Sequence, residues 1–273
     1  MRKGGESRSM SVIAHPPIAT GTPMSLSTLL PARRALTVCL AVSLLAGYLP
    51  FGHAALVVSG TRVVFPGDKR SVSLIVSNPG ERTYAVQTWV NTAADDTTTA
   101  VPFITSPPLF KLEPGKEQQL KLNGLPHDLP SDRESLFYFN VQEIPQVQKS
   151  DQENALNIAL RTRLKLFYRP AGLKGNPIEH LRELQWSIER VDSRTQLRVD
   201  NPTPFHMSFI RIDIKGNGQQ LRLNSPAMAA PMSTQTYVLS GIDPAEGLQV
   251  TFANLNDYGG ITPDLTASVR VSH

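Results

Sequence analysis

From Ala55 onward the sequence is built of short β-prone runs, each cut off within a few positions by proline, glycine or asparagine. Residues 71–76 (S-V-S-L-I-V) stop at Ser77-Asn78-Pro79-Gly80, and 84–90 (Y-A-V-Q-T-W-V) alternates strongly before the polar stretch 91–99. Residues 118–122 alternate after the turn Glu113-Pro114-Gly115, 136–141 (L-F-Y-F-N-V) is aromatic, and 156–160 and 164–168 follow. Successive side chains on a strand point to opposite faces, so such runs bury one face and wet the other. Proline has no N–H to give to a ladder and marks the joints instead. Six or seven runs at this spacing predict an antiparallel sandwich. Arg169-Pro170-Ala171-Gly172 ends the series and Gly175-Asn176-Pro177 lies just beyond, which places a domain boundary between residues 171 and 178. The style then repeats at 184–190, 195–200, 208–214, 220–223, 234–239, 248–254 and 266–271, with turns at Asn201-Pro202-Thr203-Pro204 and Lys215-Gly216-Asn217-Gly218. Helical periodicity amounts to one short turn within 178–184. The expectation is an all-β chain of two domains, 55–172 and 173–273.

The residues before Ala55 are of another kind. Residues 35–49 form an apolar run after Arg33 and Arg34, followed by the small residues of Gly52-His53-Ala54-Ala55. That is the layout of a secretory signal peptide cut after Ala54; a greasy core of roughly 15 residues is short of the about 20 that span a membrane. Met24 is a natural start for such a leader, so 1–23 reads as an over-extended start, and 1–54 as absent from the mature protein. The leader holds five of the 27 basic residues (Arg2, Lys3, Arg8, Arg33, Arg34) and one of the 23 acidic ones (Glu6), leaving 22 of each. A net charge near zero carries no nucleic-acid footprint. The single cysteine, Cys39, also lies in the leader, so an exported chain must hold together by core burial without a disulfide.

Catalytic chemistry finds no foothold. The six histidines are scattered, with none at metal-ligand spacing from another His, Cys or carboxylate. There is no G-x-S-x-G elbow and no glycine-rich phosphate loop. The reading is a non-enzyme with no catalytic residue, no cofactor and no metal.

Two constellations carry information about binding. Leu156, Ile158 and Leu160 put three large apolar side chains on one face of an extended strand. From periodicity alone that face either covers its own core or is offered to a partner; an exposed apolar edge is an aggregation hazard that proteins normally blunt. Arg161, Arg163 and Lys165 then place cations at alternating positions, on the opposite parity. They form either a solvated face or an anion site gripping a carboxylate through charge-assisted hydrogen bonds.

Five segments go further: T-R-V-V-F (61–65), D-R-E-S-L-F-Y-F-N-V-Q-E-I-P (132–145), L-K-L-F-Y-R-P (164–170), N-P-T-P (201–204) and N-D-Y-G-G (256–260). Together they resemble the PapD-type periplasmic pilus (fimbrial) assembly chaperones over nearly the whole mature chain. The resemblance implies two immunoglobulin-like β-sandwiches at roughly a right angle, a boomerang with a cleft that takes the subunit. It implies a periplasmic chaperone that binds, folds and caps pilus subunits by donor-strand complementation and delivers them to an outer-membrane usher. Leu156, Ile158 and Leu160 match the donor strand, and Arg62 and Lys165 the anchor for the subunit's C-terminal carboxylate. Because Lys165 is out of parity with the donor residues, a bend or bulge near Thr162-Arg163 is expected. Glu134, Arg169 and Asp257 match an interdomain salt-bridge network, with Tyr258 packing at the same junction. Ser106-Pro107-Pro108 matches a segment that tends to hold a cis proline, and the short polar loop 146–155 matches the short-loop branch of the family. A self-capping homodimer of the free chain fits the same scheme. The competing reading is an exported structural or adhesive Ig-like surface protein.

Overall fold

The structure, a computed structural model, describes residues 56–96, 98–145 and 159–272. The leader with its cleavage site, the loop 146–155, and Leu156 and Ile158 of the apolar run lie outside the described residues.

The first sandwich is assembled from β1 (Val57–Val58), β2 (Arg62–Pro66), β3 (Ser71–Ser77), β4 (Tyr84–Asn91), β5 (Phe103–Ser106), β6 (Leu109–Leu112), β7 (Glu117–Gly124), β8 (Ser135–Pro145) and β9 (Arg161–Arg169). One sheet runs β1-β3-β7-β5 and the other β2-β9-β8-β4-β6. The alternation read from the sequence decides what goes inside. Leu74 and Val76 on β3, Leu120 and Leu122 on β7, Phe137 and Phe139 on β8, and Leu164, Leu166 and Tyr168 on β9 are buried in one cluster. Phe103 sits edge-on to both Phe65 and Phe137, with ring centroids 5.1 and 5.2 Å apart. The Ser106–Pro107 peptide is cis.

The second sandwich uses β10 (Gln185–Val191), β11 (Arg194–Asn201), β12 (Phe209–Gly216), β13 (Gln219–Asn224), β14 (Ser233–Leu239), β15 (Gln249–Asn254) and β16 (Leu265–Val271). Their order is β13-β12-β15-β16-β10-β11-β14. β16 changes partner midway: Leu265 to Ser268 pair antiparallel with β15, and Val269 to Val271 pair parallel with β10. That switch lets one run of strands enclose a separate core around Trp186, Ile188, Leu197, Ile212 and Phe252. The β12–β13 hairpin turns on Asn217 and Gly218, both at positive φ, as the right-handed twist of paired strands demands of a two-residue loop. The short turn expected within 178–184 is a 3-10 turn at Leu181–Glu183.

Each half is stapled by a buried asparagine in an Asn-Pro turn. Asn78 donates to the carbonyls of Arg82 and Leu112 and accepts from Gly80 N–H at 3.1 Å. Asn201 donates to the carbonyls of Phe205 and Ala230, both at 2.8 Å, and accepts from the Thr203 hydroxyl at 2.7 Å. The sequence marks N-P as a turn; burial makes the asparagine the donor that the enclosed carbonyls need. Asn201→Ala removes the amide donor from both carbonyls, leaving Ala230 C=O to the Ser233 hydroxyl and Phe205 C=O to a long 3.4 Å contact from Thr203. It should cost about 1–3 kcal/mol, the scale of an under-satisfied buried polar group. Urea unfolding should show the midpoint falling with the slope unchanged.

The bend expected near Thr162-Arg163 is absent. β9 pairs with β8 without a register shift from Ser135↔Tyr168 to Gln142↔Arg161, and Glu143 N–H donates to Leu160 C=O at 3.0 Å beyond it. The reason is that each face of the straight strand already has an occupant. Leu164, Leu166 and Tyr168 fill the core, while Arg161, Arg163 and Lys165 lie on the outer face, the two arginines held there by Asp95 and the Thr92 carbonyl. A bulge would break a ladder that both faces hold in place.

Candidate functional site

β2 and β9 run parallel and bring Arg62 directly opposite Lys165. The sequence sets this up in two ways. Val63 and Phe65 dive into the core and send Arg62 outward, and Leu164 and Leu166 do the same for Lys165. Two cations are thereby held side by side and half-buried. Arg62 has one long contact, Nη1 to the carbonyl of Leu255 at 3.5 Å, and its buried Nε has no partner. Its guanidinium lies 5.8 Å from the ring centre of Phe167. Among the described residues Lys165 Nζ reaches only the thioether of Met228, at 3.6 Å. Neither makes an ion pair with a carboxylate among the described residues. Burial, and then the adjacent Arg62 charge, hold the Lys165 ammonium below its usual range. Burial also lowers the Arg62 guanidinium, although the Asp257 and Glu134 carboxylates pull the other way. Like charges that are desolvated together and left without an anion favour any anion that arrives.

The other two cations of the stripe are already engaged. Arg161 grips Asp95 through both carboxylate oxygens, at 3.2 and 2.5 Å. Arg163 lies over the Tyr138 ring at 3.8 Å and donates to the carbonyl of Thr92 at 2.7 Å. Hydrogen bonds from Arg161 and then Asn91 hold the Asp95 carboxyl below its usual range. Of the three alternating cations, only Lys165 is left for a ligand.

The edge beside this pair is open. β2 covers β9 only from Lys165 to Arg169, so among the described residues no strand pairs with that side of β9 from Arg161 to Leu164. Leu160, just before it, has 54% of its surface exposed. Its parity is that of Leu164 and Leu166, so it stands on the opposite face from Lys165.

Glu134, Arg169 and Asp257 meet. Arg169 Nη2 is 2.8 Å from Glu134, and its Nη1 and Nη2 donate to the two oxygens of Asp257 at 2.7 and 2.9 Å. Burial opposes the Arg169 charge, but the Asp257 and Glu134 carboxylates more than offset it and hold the guanidinium above its usual value. Glu134 is buried and also accepts from the backbone N–H of His206 at 2.8 Å, with the His206 ring nitrogen at 3.1 Å. Glu134 and Arg169 belong to the first sandwich, His206 and Asp257 to the second, so the cluster ties the two together. His206 and Met228 had no signal in the sequence beyond His206 following N-P-T-P-F. Tyr258 does not pack at the junction as expected: it is 93% exposed. Its neighbour Asp257 supplies the junction contact, and the turn carries the tyrosine outward.

Comparison with known proteins places this geometry in context. A profile described as pili and flagellar-assembly chaperone, PapD N-terminal domain, matches residues 55–174. Another, described as pili assembly chaperone PapD, C-terminal domain, matches residues 179–266. The probable fimbrial chaperone YadV of Escherichia coli K12 is 38% identical over 215 residues, 76% of this chain and 87% of its own length. The chaperone protein FimB/FhaD of Bordetella pertussis is 35% identical over 239 residues, 85% of this chain and 95% of its own. The crystal structure of YadV superposes with a TM-score of 0.68 at 36% identity, over 79% of this chain and all of that one. The SafB chaperone of Salmonella enterica, solved in complex with the SafA pilin, gives 0.67 at 26% identity, over 80% and 98%.

Proposed function

Because this chain belongs to the PapD family of pili-assembly chaperones, we propose that it captures pilus subunits by lending them a strand and anchoring their C-terminal carboxylate on Arg62 and Lys165. One observation carries the reading: two half-buried cations sit opposite each other with no carboxylate of their own among the described residues, while Arg161 and Arg163 beside them share Asp95. Residues 1–54 are the leader that sends the chain to the periplasm, 55–172 the domain that carries the donor strand, and 173–273 the second domain. Leu156, Ile158 and Leu160 are the apolar side chains that fill the subunit, and an outer-membrane usher receives it. In the free chain a second copy caps the open edge.

The open edge also sets the polarity of the guest strand. A strand added beside β9 ahead of Lys165 is collinear with β2, which starts at Arg62 opposite Lys165. If it runs parallel to β9, its C terminus arrives at Arg62; if antiparallel, its N-terminal ammonium meets two cations and is repelled. The guest strand therefore runs parallel. Main-chain pairing gives grip and the alternating apolar side chains give fit.

The test is capture of co-expressed subunits by the tagged chain. Subunits ending in a free carboxylate should co-purify, and the same subunits with a few residues added at the C terminus should not. Equal capture of both overturns the anchor. The pH dependence carries a definite sign. The lowered Lys165 pKa means that affinity falls as pH rises through a range below that of an ordinary lysine, as the ammonium is lost. On the acid side, affinity falls once the α-carboxylate protonates, roughly below pH 3.3–3.7. Titration of binding against pH checks both limbs, and Lys165→Arg should move the alkaline limb upward.

A further inference from the structure

Tyr258 has 93% of its surface exposed, more than any other large hydrophobic side chain among the described residues, yet its backbone is pinned. Asn256 Oδ1 accepts from the N–H groups of Tyr258 and Gly260 at 3.0 and 2.7 Å, and Asn256 N–H donates to Gly260 C=O at 2.8 Å. On one side Arg169 grips Asp257. On the other, Gly259, at φ 83, lies so close to Thr61 that a β-carbon would collide with its hydroxyl. The loop is thus seated on the residue just before Arg62. Its first residue, Leu255, supplies the carbonyl that faces Arg62, and its last, the 60% exposed Ile261, bridges back to Leu255.

A tyrosine held in place by its backbone and left in water loses little freedom when a partner covers it, and it has a large face to offer. We propose that Tyr258, supported by Ile261, is a second contact for the bound subunit, covering an apolar side chain within its last two or three residues. This rests on the carboxylate anchor at Arg62 and Lys165. The occupant follows from reach: a guest strand collinear with β2 ends at Arg62, and at about 3.3 Å per residue only its terminal residues pass the loop. The contact gives the second domain a share in choosing the subunit, where the anchor alone reads only the carboxylate common to every chain end.

The experiment uses short synthetic strand peptides alternating Val and Thr, with Phe or Asp next to the C-terminal residue, each as free carboxylate and as amide. Tyr258→Ala should weaken the Phe carboxylate peptide about tenfold, the scale of an interface aromatic, and leave the Asp peptide unchanged. Tyr258→Phe should bind like the parent. In a Cys39→Ala background, the thiol of Tyr258→Cys should react with a maleimide at least tenfold more slowly when the Phe peptide is bound. Unchanged affinity in Tyr258→Ala, or equal labelling with and without peptide, overturns the proposal while the preference for carboxylate over amide keeps the anchor. Equal binding of carboxylate and amide overturns the anchor and this contact with it. The labelling arm decides the matter even if Tyr258→Ala folds poorly.

Discussion

Lys165→Met should all but abolish subunit capture and leave the free chain at least as stable as before. Truncating one member of a desolvated charge pair costs about 2–4 kcal/mol of binding, a loss of roughly thirty- to several-hundredfold in affinity. Stability moves the other way because the fold works against this charge. The ammonium is half-buried, lies opposite the Arg62 cation, and among the described residues has only a thioether within reach. A lowered lysine pKa means the unfolded chain binds the proton more tightly than the folded one, so the charge destabilises the free protein. That penalty is present below the lowered pKa and disappears as pH rises toward the ordinary lysine value. Methionine keeps an unbranched apolar stem in the half-buried site and removes the penalty. Paired measurements of subunit capture and of thermal unfolding check the claim. A variant that loses capture only because it unfolds would sink the assignment of Lys165 as an anchor. Arg62→Ala should lose capture too, with less gain in stability, since the Asp257 and Glu134 carboxylates already favour that cation.

Arg169→Met should be the most destabilising single change at the junction, at about 3–5 kcal/mol. It leaves Glu134, buried beneath the interface, with no cation and only the His206 donors. It also releases Asp257 and with it the loop seated on Thr61. The double change Glu134→Leu with Arg169→Met removes the orphaned carboxylate and should cost less than the single one. Because each sandwich has its own core, losing the tie should also split unfolding into two transitions, seen as a broadened urea curve with a lower apparent slope. A double variant less stable than Arg169→Met would show that the charges contribute stability outright rather than fixing how the domains meet.

Sequence and structure divide the work in a way these residues make concrete. Strand positions were legible because a period of two is a local property: residues 71–76 and 118–122 alternate, and β3 and β7 occupy Ser71–Ser77 and Glu117–Gly124. The short strands β1, β5 and β6 were not, since two to four residues are too few to show a period. The stripe Arg161, Arg163 and Lys165 looked uniform on paper. What separates its members is Asp95, 66 residues from Arg161 in sequence, which a turn at positive φ brings under two of them.

The feature that ties this together is the strand leading to Lys165. The sequence alone determined its parity, apolar on one face and cationic on the other, and the resemblance named Arg62 as the distant partner. Only the tertiary structure decided that the strand runs straight, that β2 starts opposite Lys165, and that no other strand among the described residues pairs with the edge ahead. The physical reason is that parity depends on neighbours in the chain, whereas register, desolvation and the absence of a counter-ion depend on which strands pair, and pairing joins residues about a hundred positions apart.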